Sequence, residues 1–144
     1  MEKHYIIYTD GGSRGNPGPS AIGVVIEGPE IGKKEYGEYV GETTNNIAEY
    51  QAMIFALKKL KQLIGSDRAA ESTVEVRADS ELLVRQLSGE YKVKEENMQD
   101  LFMEVWNSRL DFKKVDFVHV VREQNKQADR LVNYALDKEE DKLL

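Results

Sequence analysis

The sequence predicts an α/β domain, with a mixed β-sheet and helices packed on it. Three β-branched and aromatic segments follow one another near the N-terminus, joined by short turns, as in an antiparallel meander. After them, strand-like alternation and helical periodicity take turns, the pattern that produces crossovers onto a sheet. The chain has 144 residues, enough for one domain with a full core, and no cysteine to staple it.

The elements can be read in order. His4–Thr9 is rich in β-branched and aromatic residues and stops at Asp10-Gly11-Gly12. Residues 13–19 (SRGNPGP) form a loop of turn residues. Ala21–Ile26 is the second strand, 27–32 a turn, and Lys33–Thr43 the third strand. A helix is predicted from Asn46 to about Leu63, because Ile47, Tyr50, Ile54, Leu57 and Leu60 recur at spacings of three or four. Residues 65–72 are polar and break it. Thr73–Ala78 alternates Val74 and Val76 with Glu75 and Arg77, as a half-buried strand does. Short helices follow over 80–87 and 95–110. Val115–Val121 is the last strand and Gln124–Leu136 the last helix, with Ala128, Leu131, Val132 and Ala135 facing inward.

Composition limits the chemistry. Hydrophobic residues make up 40% and charged residues 32%, an ordinary balance for a water-exposed domain. Without cysteine, and with only His4 and His119, thiolate and histidine-rich zinc sites are excluded or unexpected. Any metal would sit on carboxylates, which suit Mg²⁺ or Mn²⁺. No stretch approaches 18 apolar residues and no leader pattern opens the chain, so the expected location is the cytoplasm, with no membrane partner. The net charge of −6 counts against tight non-specific binding of nucleic acid. Part of it lies in Asp137–Leu144, which holds four acids against two lysines and reads as a frayed or solvated end.

Four acids fall at element ends, where sites on α/β sheets collect: Asp10, Glu49, Asp79 and Asp129. Converging there, they would repel one another unless cations lay between them. Each also has a local role open to it. Glu49 suits a capping box with Asn46 as the cap, and Asp79 suits an N-cap for a helix beginning at Ser80. Asp129 suits the positive end of a helix dipole, and Asp10 a turn before two glycines. Spacing alone does not decide between convergence and these roles.

Four segments, in order, resemble the type 1 ribonuclease H family: 8–18 (YTDGGSRGNPG), 43–50 (TTNNIAEY), 78–84 (ADSELLV) and 122–131 (REQNKQADRL). The resemblance implies a ribonuclease H-like fold, a five-stranded mixed sheet with three antiparallel and then two parallel strands, flanked by helices. It implies a catalytic domain over 1–137, followed by an acidic tail at 138–144. It implies that Asp10, Glu49, Asp79 and Asp129 are the catalytic and metal-holding set, with Asp10 bridging two Mg²⁺ or Mn²⁺ ions. The implied activity is hydrolysis of the RNA strand of RNA–DNA hybrids, leaving 5′-phosphate and 3′-hydroxyl ends. The partner would be the hybrid duplex and the chain would act as a monomer. Asn16, Asn45 and Asn46 match family positions that contact the hybrid, and Thr44 one that helps hold a DNA-strand phosphate. Turn or cap roles compete for each, and for Asn46 the helix cap in particular.

The chain also departs from the family. Many relatives carry an auxiliary histidine in the loop before the last helix, and some carry an arginine there. Ungapped spacing points to His119, inside strand-like alternation, whereas Arg122 opens the loop and is favoured for that role. The basic, Trp-rich handle of some members is missing, replaced by 88–95 (SGEYKVKE). Glu81 stands where several relatives have an amide donor. The alternatives are a catalytically silent nucleic-acid-binding module on this fold, another nuclease or strand-transfer enzyme of the superfamily, and a structural protein. The intact acid set favours the nuclease.

Overall fold

The structure, a computed structural model, describes residues 3–143. In chain order it comprises β1 (Lys3–Ser13), β2 (Gly18–Gly28), β3 (Gly32–Thr43), α1 (Asn45–Ile64), α2 (Ser66–Ala70), β4 (Ser72–Ala78), α3 (Glu81–Leu87), α4 (Glu96–Ser108), β5 (Lys114–His119) and α5 (Lys126–Lys142). The sheet order is β3-β2-β1-β4-β5. β1, β2 and β3 pair antiparallel, while β4 joins β1 and β5 joins β4 in parallel. The mixed sheet expected from the sequence is the sheet observed.

Burial explains the pattern. β2 is buried without interruption from Ser20 to Ile26, because helices cover both of its faces. On one face Tyr5, Ile7, Val24, Val74 and Val76 pack against Tyr50, Met53, Leu57 and Leu60 of α1. On the other, Val132, Ala135 and Leu136 of α5 close over Ala21. β4 is buried at every second residue, as its alternation predicts.

Two glycines let the helices come close. A Cβ on Gly11 would lie 2.4 Å from the Ala48 carbonyl carbon, so the first turn of α1 rests on the backbone just beyond Asp10. A Cβ on Gly23 would lie 2.0 Å from the Ala128 carbonyl oxygen, so the start of α5 rests on β2.

The boundaries differ from expectation at several points. α1 begins at Asn45, with Thr44 as the cap in place of Asn46: the Thr44 hydroxyl accepts from the Ile47 N–H at 3.3 Å. The polar break holds a single helical turn, α2, entered through Gly65 at φ 86°. β5 ends at His119 rather than Val121. α5 continues six residues past Leu136, so most of the supposed tail is helical. Arg14 reaches across to it, pairing with Asp137 and Glu140 at 2.7 Å each. Met1 and Glu2 at one end and Leu144 of the tail lie outside the described residues.

Gly23→Ala is expected to destabilise the protein by about 1–3 kcal/mol or more, because α5 must lift from β2. Urea unfolding measures this, and an unchanged midpoint would contradict the close packing.

Candidate active site

Strand register starts the site. Thr9 of β1 pairs with Ala78 of β4, the last step of their parallel ladder. The next residue on each strand is an acid, so Asp10 and Asp79 emerge side by side. α1, seated on Gly11, adds Glu49 from its first turns. One carboxylate oxygen from each of Asp10, Glu49 and Asp79 lies within 4.8 Å of the others. Asp129, in the first turn of α5, stands outside that trio but close enough that its side chain raises the Asp10 pKa. All four line one groove of about 340 Å³, together with Arg122, Asn45 and Arg14.

Charge and burial oppose one another here. Asp10 is only 9% exposed, and its Oδ1 accepts the Gly11 N–H at 3.0 Å. Burial, and then the charges of Asp79, Glu49 and Asp129, raise its pKa to about 8. Burial raises Glu49 to about 7, helped by Asp79 and opposed by a hydrogen bond from Ser80 and the charge of Arg122.

The local roles open to the acids go elsewhere. Ser80, not Asp79, caps α3, its hydroxyl accepting from the Leu83 N–H at 3.4 Å. Thr44 takes the cap of α1, so Glu49 is not the partner of an Asn46 cap. Ser80 was missed as a site residue. Its only sequence signal was its place between Asp79 and a helix.

The other candidates divide. Arg122, in a short 3₁₀ turn after β5, lines the groove. His119 lines a separate depression with Tyr8, Glu75 and Arg77, which shares no residue with the acid groove. Asn16 and Asn45 form a chain: Asn16 Oδ1 accepts the Asn45 N–H at 3.1 Å, and Asn45 Oδ1 accepts the Ser13 N–H at 2.8 Å. Asn46 is exposed and opens onto a different cavity of about 660 Å³, shared with Leu82, Tyr91, Lys92 and Lys94. Glu81 pairs with Arg85 at 2.9 Å.

A family model described as Reverse transcriptase-like matches residues 8–135. LC11-RNase H1, isolated from compost by a metagenomic approach and crystallised in complex with an RNA/DNA hybrid, is 48% identical at a TM-score of 0.85, over 93% of this chain and 97% of that one. RNase H1 of the archaeon Halobacterium salinarum is 34% identical at a TM-score of 0.84, over 96% and 99%. A bifunctional protein of Mycobacterium tuberculosis is 37% identical over 92% of this chain, which spans only 35% of that relative's length. Fold, sheet order and shared length make this a ribonuclease H-like protein. More narrowly, the chain belongs to the type 1 ribonuclease H family.

The raised Asp10 has a signed consequence. Between pH ~4 and pH 8 the unfolded chain loses this proton while the folded one keeps it, so stability falls as pH rises through that window. Asp10→Asn removes the penalty. Without metal it should be more stable than the parent at pH 9 by about 1–3 kcal/mol, and nearly equal at pH 4. Urea titrations in chelator test this, and an equal gain at both pH values would contradict the buried-charge account.

Proposed function

We propose that the chain is a metal-dependent endonuclease that hydrolyses the RNA strand of RNA–DNA hybrids. The observation that carries this is the carboxylate cluster, three acids with oxygens within 4.8 Å and a fourth, Asp129, lining the same groove. Its all-oxygen donors fit a hard divalent ion, Mg²⁺ or Mn²⁺. Burial and the neighbouring carboxylates both raise the pKa values of Asp10 and Glu49, and bound cations would favour their charged forms. LC11-RNase H1, in its complex with a hybrid, supports the substrate class.

Asp10, Glu49, Asp79 and Asp129 would hold two ions, which when bound activate a water and neutralise charge on the departing 3′-oxygen. The products would be 5′-phosphate and 3′-hydroxyl ends. Asp10 is the acid that interacts with each of the other three, which suits it to a bridging role. Arg122 lines the groove, and its guanidinium would offer a planar fork to a phosphate there. The Asn16 and Asn45 side-chain oxygens are engaged by backbone N–H groups, so their NH₂ groups would be the donors offered to a duplex. Donors there can meet the minor-groove acceptors and the ribose 2′-OH that separates RNA from DNA.

Cleavage of a hybrid, double-stranded RNA, single-stranded RNA and DNA, with and without Mg²⁺ or Mn²⁺, tests the proposal. Metal-dependent cutting of the hybrid RNA strand is expected, and none in Asp10→Asn or Asp79→Asn. Full activity in either variant would overturn the site.

A second comparison concerns the auxiliary residue. Arg122→Ala should lower kcat by roughly 10-fold or more, while His119→Ala stays near the parent. The reverse order, or a histidine-like pKa in the parent's kcat profile that His119→Ala removes, would move the role to His119.

A further inference from the structure

We propose that Asn125 is a positioning residue for the acid site, holding Asp129 beside Asp10 and Arg122 at the same groove by tying the start of α5 to the end of β1. This rests on the proposed roles of Asp129 and Arg122. Asn125 is 1% exposed. Its Nδ2 donates to the Thr9 carbonyl oxygen at 2.9 Å, at the peptide that leads directly into Asp10. Its backbone carbonyl accepts the Asp129 N–H at 3.1 Å, and its backbone N–H donates to the Arg122 carbonyl at 2.9 Å. A single residue therefore joins the backbones that carry three groove residues.

Its other options are left unused. An asparagine at a helix N-cap ordinarily accepts an N–H from the first turn, and Asn125 makes no such bond. Its Oδ1 is buried without a hydrogen-bond partner among the described residues, which costs stability. A residue suited only to starting a helix would use that oxygen. The side chain instead faces β1, and the amide nitrogen spans 116 positions of sequence. Gly23 lets α5 sit close enough for the reach. Losing the tether would free the first turn of α5, and Asp129 would no longer be held beside Asp10.

The test measures hybrid cleavage, Mn²⁺ binding by calorimetry and thermal unfolding for the parent, Asn125→Ala, Asp129→Asn and the double variant. Asn125→Ala should lower kcat and weaken Mn²⁺ binding by roughly 10–100-fold, with KM for the hybrid little changed. In the Asp129→Asn background it should cost clearly less than in the parent, the remaining loss passing through Arg122, while its effect on Tm is the same in both backgrounds. An equal loss of kcat in both backgrounds, or unchanged kcat in Asn125→Ala, would overturn the proposal. If Asn125→Ala does not fold, Asn125→Ser is judged by the same criteria. A parent that cuts no hybrid refutes the proposed function instead. The Mn²⁺ affinities then decide the tether, and equal values for parent and variant overturn it.

Discussion

Like charge gathered at the ends of two parallel strands is the constraint around which this molecule is built. The β1–β4 ladder ends at Thr9 and Ala78, and both chains continue with an aspartate. The fold cannot separate Asp10 from Asp79 without breaking register, and a one-residue slip of β4, which is buried at every second residue, would turn its core side chains outward. α1 then brings a third carboxylate to the same point. Burial first, and then the neighbouring carboxylates, raise the pKa values of Asp10 and Glu49 above the ordinary carboxylate range. The Gly11 N–H, Ser80 and Arg122 offset only part of the charge.

Site and core therefore share their parts. The glycines that would be weak points in a strand are here what allows two helices to approach the sheet backbone. Gly11 sets the height of Glu49 above Asp10, and Gly23 sets that of the first turn of α5. A larger side chain at either position would displace an acid as well as a helix. The groove lies where these close approaches meet.

Much of this was legible in the sequence. Strand identity and order followed from alternation and turn residues, and the four acids stood at element ends. Their convergence was not readable from spacing, since each acid had a local role that fitted as well. Neighbouring hydroxyls took those roles, Thr44 for α1 and Ser80 for α3. The extent of α5 was hidden because its last turns carry charged residues and little apolar periodicity. They are helical beside Arg14, a residue 123 positions before Asp137, and such long-range pairing leaves no local signal. Asn125 was hidden for the same reason: its partner is a backbone carbonyl, and any residue supplies one.

The acidic balance bears on how a polyanion could be approached. A net charge of −6 works against the non-specific affinity that a broad positive face gives many nucleic-acid-binding proteins. Some of its acids are satisfied internally, as Asp137 and Glu140 are by Arg14. Those in the groove remain, and there they would repel phosphate. On the proposed reading, ions that neutralise the groove raise its affinity for the duplex. Linkage then requires that a bound duplex raise the affinity for the ions by the same factor. Metal and hybrid would favour each other's binding, and an acidic protein would become a nucleic-acid enzyme chiefly when both are present.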